Sequence, residues 1–263
     1  MPVSGFEITC SMTASSFCVL GTPLQICTYA SLTADLQTRS RKEQTFSVDF
    51  TNTHIVTLRR GDPQFRAMTG TVDYFIPDGM PLIWCLNRQG ANLRDRVYGH
   101  TFTRECILAS PAPFTHYFLG GNDECVSRLQ QNFLKQNPNI KIIGARNGYF
   151  NREDEPQILE EINRLSPDFI WIGLGTPKQQ DWINRNKSKI RRGIVLAVGF
   201  AFDVNAGMKP DAPLWMQRYG LTWFYRLASE PFRLGPRYVK NNSRFLFYLL
   251  WDGLRGKAWK CSP

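Results

Sequence analysis

The stretch Phe169-Ile170-Trp171-Ile172-Gly173-Leu174-Gly175 joins four large apolar residues to a glycine turn, and Pro177 follows where a helix can begin. The same unit of apolar strand, glycine and helix occurs around residues 116–121, 140–144 and 194–199. Continuous apolar strands that alternate with helices indicate a parallel sheet covered by helices on both faces. In such α/β sheets ligands bind at the carboxyl ends of the strands, where most motifs of interest in this sequence fall.

The first half of the chain predicts two further strands and their helices. Residues 17–21 and 47–52 are expected as strands, and residues 24–38 as a helix. The sequence contains neither a GxGxxG fingerprint nor a Walker loop. A nicotinamide enzyme and a P-loop NTPase are therefore poorly supported.

The composition is that of a folded globular protein with an anionic partner. The 263 residues are 43% hydrophobic and 21% charged, and 32 basic against 22 acidic residues give a net charge of +10. This excess suggests nucleic acid, a lipid surface or a phosphorylated substrate as the partner. We expect no secretory signal peptide, and no apolar run approaches the roughly 20 residues that span a bilayer.

The cysteines predict free thiols rather than a bonded framework. Seven of them are widely spread, without a CxxC pair, at positions 10, 18, 27, 85, 106, 125 and 261. This pattern indicates neither a zinc site nor a set of disulfides, and it fits a reducing cytoplasm.

Residues 74–81, Tyr-Phe-Ile-Pro-Asp-Gly-Met-Pro, are mostly apolar or proline and carry a single carboxylate, Asp78. An aspartate on a turn after an apolar strand can be shielded from water, which raises its pKa and makes it a better base. The alternative is an ordinary turn in which Asp78 and Gly79 serve backbone geometry alone. The stretch by itself leaves both interpretations open.

The C-terminal residues 218–260 contain most of the basic excess. Nine basic and two acidic residues give this segment a net charge of +7, and eleven aromatic residues are interleaved with them. Basic and aromatic residues on a helical segment are typical of an element that lies at a membrane interface. A helical pair that packs its aromatics on the sheet and a nucleic-acid surface are the two alternatives.

A series of short motifs carries a resemblance to a known family. In chain order they are Asn52, Ile76-Pro77-Asp78-Gly79, Arg96-Val97-Tyr98-Gly99, Phe118-Leu119-Gly120-Gly121, Asn147-Gly148-Tyr149-Phe150, Pro167-Asp168, Gly173-Leu174-Gly175-Thr176-Pro177-Lys178-Gln179, Phe202-Asp203, Ala206-Gly207, Ala212-Pro213, Tyr225-Arg226-Leu227, Glu230-Pro231-Phe232-Arg233 and Arg237-Tyr238. Over residues 19–238 the series resembles the WecG/TagA/CpsF family, glycosyltransferase family 26.

The resemblance implies a Rossmann-like catalytic domain over residues 1–207 and a mainly helical, membrane-associating appendage over residues 208–263. It implies an inverting, metal-independent glycosyltransferase that needs no cofactor. Such an enzyme moves a hexose or N-acetylhexosamine from a UDP-sugar to a polyprenyl-diphosphate-linked saccharide in bacterial cell-surface polysaccharide biosynthesis. It would be a peripheral protein on the cytoplasmic face of the plasma membrane, would not bind nucleic acid, and could form a homo-oligomer.

The resemblance also assigns roles to individual residues. Asp78 would be the catalytic base, and Gln179 a second residue needed for activity. The nucleotide-sugar donor would be bound by Gly120, Gly121, Tyr149, Gly175, Lys178 and Asp203, and substrate by Thr51, Asn52 and Arg96. The tail arginines suited to an acceptor diphosphate at the membrane are Arg226, Arg233 and Arg237.

The chain departs from the family pattern at several of these motifs. Gln180 stands where the family usually has an acid, Phe200 where a glycine commonly follows Gly199, Asp211 where an arginine is usual, and Thr222 where an acid is usual. Thr51 lies one position later than the family's threonine. A second hypothesis for function is a non-enzymatic α/β module that binds a nucleotide or nucleic acid through the basic tail.

Overall fold

The computed structural model describes residues 15–108 and 114–261, apart from the side chains of Arg233 and Arg237. Within these residues eight strands form one sheet in the order β1-β2-β4-β3-β8-β7-β5-β6. The strands are β1 (Ser16–Val19), β2 (Thr22–Gln25), β3 (Thr45–Thr51), β4 (Tyr74–Pro77), β5 (Thr115–Gly120), β6 (Lys141–Arg146), β7 (Phe169–Gly173) and β8 (Gly193–Ala197).

The helices alternate with the strands and then continue alone into the C-terminal segment. They are α1 (Tyr29–Ser40), α2 (Thr53–Gly61), α3 (Pro63–Met68), α4 (Met80–Asn87), α5 (Gly99–Leu108), α6 (Asp123–Gln136), α7 (Glu155–Leu165), α8 (Lys178–Asn186), α9 (Ala201–Asn205), α10 (Leu214–Arg218), α11 (Thr222–Ser229) and α12 (Pro231–Leu254). Short 3₁₀ turns cover Thr69–Thr71, Arg152–Asp154 and Lys187–Lys189.

The sheet is parallel except at one edge, where β1 runs antiparallel to β2. Alternate residues of each central strand point to opposite faces, and helices cover both. On one face Leu36, Phe102 and Phe133 pack against the sheet, and on the other Ile162 and Trp182 do so. The predicted α/β fold with helices on both faces is therefore confirmed.

The prediction for the first forty residues is wrong in one place. Residues 24–38 were expected as one helix, but the chain first turns back at Leu20 and Gly21 into β2. Both turn residues have positive φ, 51° and 77°, which is the geometry that joins two tightly paired antiparallel strands. Helix α1 begins only at Tyr29, after Thr28 caps it by accepting from the backbone N–H of Ser31.

The C-terminal segment packs onto the rest of the chain through α12. This 24-residue helix lies against α2, where Arg60 donates two hydrogen bonds to the buried carboxylate of Asp252 at 2.6 and 2.9 Å. Phe245 and Ala258 are buried in a hydrophobic cluster that also contains Leu24 of β2. No helix of the described residues is both long enough and apolar enough to cross a bilayer.

The expectation that all cysteines are free thiols is wrong for one pair. Cys18 of β1 and Cys261 form a disulfide, with their Cα atoms 5.3 Å apart. Since the two residues are 243 positions apart in sequence, only the return of the C-terminal segment to the β1 edge reveals the pairing. Four other cysteines are buried free thiols, namely Cys27, Cys85, Cys106 and Cys125, and Cys10 lies outside the described residues.

Candidate functional site

Asp78 lies directly after β4, at the carboxyl edge of the sheet. Its backbone N–H donates to the carbonyl oxygen of Thr51, the last residue of the neighbouring β3, at 2.8 Å. Its carboxylate Oδ1 accepts from the backbone N–H of Gly99, the first residue of α5, at 2.9 Å. Two elements of the fold thus fix the position of this one side chain.

The surroundings of Asp78 set its proton affinity. Desolvation raises the pKa of Asp78 to about 7, although Arg96, the Gly99 N–H and Arg226 each favour the charged form and lower it. The charge of Asp49, further back on β3, raises it as well. The expectation that shielding from water raises the pKa of Asp78 is confirmed. A carboxylate with this pKa exchanges a proton readily near neutral pH.

Asp78 lines a cavity of about 920 Å³ between the sheet edge and the C-terminal helices. The polar residues of the cavity wall include Asn52, Asp78, Arg96 and Arg226. Much of the wall is apolar, with α4 and α12 contributing Met80, Trp84, Leu234, Phe245, Leu249 and Leu250. The cavity can therefore receive a molecule with an anionic head and a long apolar tail.

Arg96 is held beside Asp78 by three contacts. Its Nη1 donates to the backbone oxygen of Asp78 at 3.3 Å, and its Nη2 donates to Thr222 Oγ1 at 2.9 Å. Its guanidinium lies 4.2 Å from the ring centre of Tyr98, whose hydroxyl donates to Asp211 at 2.9 Å. Thr222 and Asp211, two departures from the family pattern, therefore help to place this arginine.

Arg226 enters the same cavity from α11. Its guanidinium stacks on the ring of Phe200, 3.9 Å from the ring centre. Phe200, a third departure from the family pattern, therefore helps to place Arg226. Its Nε is buried and has no hydrogen-bond partner among the described residues. The side chains of Arg233 and Arg237, predicted to act with Arg226, lie outside the described residues.

Asn52 and Thr51 have clear structural partners. Asn52 caps α2, because its Oδ1 accepts from the backbone N–H groups of His54 and Ile55 at 3.0 and 3.3 Å. Thr51 is fully buried, and its hydroxyl donates to Asp49 rather than lining the cavity. Their predicted contacts with substrate stay predictions.

The residues predicted to bind the donor lie outside this cavity, at the carboxyl ends of β5 and β7, in the loop after β6, and in the first turns of α8 and α9. Gly120 ends β5 with a φ of 147°, and a Cβ there would collide with the backbone of Gly173. Gly148 donates to the oxygen of Gly121 at 2.8 Å, which fixes the loop that presents Tyr149. Tyr149 is 82% exposed. Its surface is thus available to a planar ligand.

Gln179 and its neighbours begin helix α8. Gln179 is buried, and its Oε1 accepts from the backbone N–H of Gly175 at 3.2 Å. Lys178 is exposed, and Asp203 lies in the first turn of α9, 4.0 Å from the sulfur of Cys125. The structure therefore divides the predicted site between the Asp78 cavity and these neighbouring strand ends.

The comparison with known families agrees with the resemblance. The sequence model of the glycosyl transferase WecG/TagA/CpsF family matches residues 17–258. The chain belongs to this family. It is a glycosyltransferase, which favours the first hypothesis over the non-enzymatic binding module.

Curated relatives are identical to this chain at about a quarter of the aligned residues. A protein of Bacillus subtilis (strain 168) is 27% identical over 173 residues, which cover 65% of this chain and 67% of the relative. A protein of Staphylococcus aureus (strain MW2) is 27% identical over 185 residues, which cover 70% and 72%. Each is named as an N-acetylglucosaminyldiphosphoundecaprenol N-acetyl-beta-D-mannosaminyltransferase.

Asp49 is the residue of this family member that the sequence reasoning missed. It is a fully buried carboxylate in β3, and its Oδ2 accepts from Gln180 Nε2 at 2.7 Å. The signal was available, since a charged residue stands alone inside the strand Thr45–Thr51. A buried charge is seldom kept without a partner or a role.

The raised pKa of Asp78 predicts how stability depends on pH. The folded protein keeps the Asp78 proton up to about pH 7, whereas the unfolded chain releases it near its ordinary value of 3.8. Between these values the native state binds more protons, so this group makes the protein less stable as pH rises. Asp78→Asn should therefore increase the free energy of unfolding at pH 8 by about 1–3 kcal/mol, and hardly at all at pH 4. Thermal melting of both proteins across this range is the measurement, and a difference independent of pH would contradict the assigned pKa.

Proposed function

We propose that this glycosyltransferase moves a sugar from a UDP-sugar to a polyprenyl-diphosphate-linked saccharide, with inversion and without a metal ion. The observation that carries the proposal is the Asp78 cavity, where a carboxylate with a pKa near 7 lies between two arginines and a long apolar wall. This combination supports a base that faces a lipid-linked acceptor.

The polar and the apolar residues of the cavity wall fit the two ends of such an acceptor. Arg96 and Arg226 would bind the diphosphate, since guanidinium groups pair with phosphate oxygens through two hydrogen bonds. The apolar wall from α4 and α12 would hold the first prenyl units. The names of the relatives support an N-acetylglucosaminyl diphosphate lipid as the first acceptor to test and N-acetylmannosamine as the first sugar.

The chemical step is a single displacement at the anomeric carbon. Asp78 takes the proton from the acceptor hydroxyl, and the hydroxyl oxygen forms the new bond to that carbon. The bond from the carbon to the β-phosphate oxygen breaks, and UDP leaves with the bonding electrons. Attack from the face opposite UDP inverts the configuration. A base with a pKa near the working pH is the most effective choice for this proton transfer.

The donor would lie across the strand ends beside the cavity. Tyr149 would stack on the uracil through its exposed ring, and Asp203 would accept hydrogen bonds from the nucleotide. Gly120 and Gly121 allow the diphosphate to approach the backbone, and Lys178 at the start of α8 would offset its charge. Gln179 would hold a sugar hydroxyl or the departing phosphate through a neutral amide.

The C-terminal helices would bring the cavity to the inner face of the plasma membrane. Twelve of the fifteen large apolar or aromatic side chains exposed in the described residues lie between positions 214 and 254. They include Trp215, Phe232, Phe247 and Trp251. Because this segment is also strongly basic, an anionic lipid surface is a better partner for it than nucleic acid. Homo-oligomer formation stays open.

A transfer assay tests the proposed reaction. A panel of UDP-sugars that includes UDP-N-acetylmannosamine is incubated with a short-chain prenyl diphosphate of N-acetylglucosamine. We expect transfer that EDTA does not abolish and a product of inverted anomeric configuration. Asp78→Asn should bind UDP normally yet transfer sugar on the order of 10²-fold more slowly. Asp62→Asn, the same change at a helix cap outside the cavity, is the matched control. Near-normal turnover of Asp78→Asn would remove Asp78 from the mechanism.

The donor site makes a separate prediction. Tyr149→Ala should weaken UDP binding by about 1–3 kcal/mol, the usual cost of losing an aromatic ring under a base, whereas Tyr149→Phe should bind normally. Asp203→Ala should also bind UDP more weakly. Calorimetric titration with UDP is the measurement. Unchanged affinity in both alanine variants would show that the nucleotide binds elsewhere.

The membrane surface makes another prediction. Phe247 and Trp251 are exposed on α12, stack on each other and do not line the cavity. Replacing both by glutamate should reduce sedimentation with anionic liposomes by at least about tenfold, and added salt should weaken binding of the unmodified protein. Leu134→Glu, at an exposed position of α6, is the control. Equal sedimentation of all three proteins would exclude this surface as the membrane contact.

A further inference from the structure

Asp49 joins two parts of the site through one buried carboxylate. It lies on β3 in the middle of the sheet, opposite Phe75 of β4 and Ala197 of β8, and its side chain is fully buried. Its Oδ1 accepts from Thr51 Oγ1 at 2.5 Å, and its Oδ2 accepts from Gln180 Nε2 at 2.7 Å. Both carboxylate oxygens are therefore occupied by donors from two different elements.

Each of these donors lies next to a residue with a proposed role in the reaction. Thr51 is the end of β3, and its carbonyl oxygen holds the backbone N–H of Asp78 at 2.8 Å. Gln180 follows Gln179 in the first turn of α8, and Gln180 is itself almost fully buried. A movement of the Asp49 carboxylate would thus shift the supports of Asp78 and Gln179 together.

A structural role alone explains the choice of aspartate poorly. Removing a carboxylate from water is costly, and well-packed apolar residues often stabilise a core as well as buried charges do. The cation that faces Asp49 is Arg59 of α2, which lies 4.3 Å above the ring of Phe75 and hydrogen-bonds Thr22 and Thr69. Desolvation raises the pKa of Asp49 and lowers that of Arg59 to about 10, so the site bears an electrostatic cost.

We propose that Asp49 is a positioning residue for the glycosyl transfer, which fixes the end of β3 beneath Asp78 and the first turn of α8 beneath Gln179 as one hydrogen-bonded unit. The proposal rests on the proposed roles of Asp78 and Gln179. It also explains why an amide is suitable at position 180. With the carboxylate supplied by the strand, the helix must supply a donor, and Gln180 does so.

The hydrogen-bonded pair of Asp49 and Gln180 allows the carboxylate and the amide to be exchanged by substitution. Asp49→Asn removes the buried charge but keeps the size of the side chain. Gln180→Glu places a second carboxylate against the first, which repels it or forces it to take up a proton. The double variant Asp49→Asn/Gln180→Glu again has one carboxylate and one amide, now in exchanged positions.

In the transfer assay we expect Asp49→Asn to lower kcat by at least about tenfold with KM for the UDP-sugar within about twofold, because small displacements of catalytic groups reduce rates strongly. Gln180→Glu should lose at least as much, and the double variant should regain most of kcat. Asp168→Asn is the control, since its carboxylate accepts from Thr115 and Arg192 at the opposite end of the sheet.

The pH profile separates a positioning role from a merely structural one. Asp78 is faced by Arg96, Arg226, Tyr29, Tyr98 and Asp49, and among these the negative charge of Asp49 favours the protonated form of Asp78. In the pH profile of kcat, Asp49→Asn should therefore move the acid limb, where kcat rises as Asp78 loses its proton, to lower pH. The double variant should move this limb back. Asp168→Asn should leave the limb in place.

A measurement that needs no donor keeps this proposal separate from the proposed reaction. The effect of Asp78→Asn on melting temperature is followed from pH 4 to pH 8 with aspartate and with asparagine at position 49. In each background the difference in melting temperature between the protein with Asp78 and its Asp78→Asn variant begins near the unfolded pKa of 3.8 and stops growing near the folded pKa. With asparagine at position 49 we expect this difference to stop growing at a lower pH and to be smaller at pH 8. If the curves coincide, or if Asp49→Asn lowers only the melting temperature and leaves kcat and the acid limb unchanged, Asp49 is not a positioning residue. If the unmodified protein transfers no sugar, the proposed reaction is overturned. A shift seen in the melting experiment would still show that Asp49 acts on Asp78.

Discussion

The candidate site depends on holding one carboxylate away from bulk water at the edge of a parallel sheet. Asp78 follows β4, and the neighbouring β3 and the first N–H of α5 fix it from two sides. Desolvation outweighs the two arginines, and the carboxyl group keeps a proton up to about pH 7. A group placed in this way destabilises the folded protein at higher pH, so the rest of the fold must compensate for it.

The sheet alone does not complete the surroundings of that carboxylate. Thr222 and Arg226 come from α11, after the last strand. Thr222 accepts a hydrogen bond from Arg96, and Arg226 lines the cavity together with Arg96. Helix α12 closes the apolar side and is tied to α2 through Asp252. The segment proposed to contact the membrane thus also supplies part of the site. Binding at a lipid surface and binding of a lipid-linked acceptor would be coupled through the same helices.

Sequence patterns predicted those features that depend on local regularities. Four apolar residues before a glycine were enough to place β7, and an acid after Pro77 was enough to single out Asp78. The β1–β2 hairpin was missed because Leu20, an unusual residue for a positive φ, occupies its turn. The pairs Cys18–Cys261 and Asp49–Gln180 were missed because each joins residues more than a hundred positions apart, which only the folded chain brings together.

The central claim is that Asp78 is a base whose proton affinity is set by this cavity. Carbon-13 NMR of protein labelled at the aspartate carboxyl carbons tests it most directly, with the Asp78 signal assigned by its absence from Asp78→Asn. The account predicts that this carboxyl titrates with an apparent pKa near 7. A titration near the ordinary aspartate value of about 4 would contradict it, because the cavity would then not raise the proton affinity of Asp78.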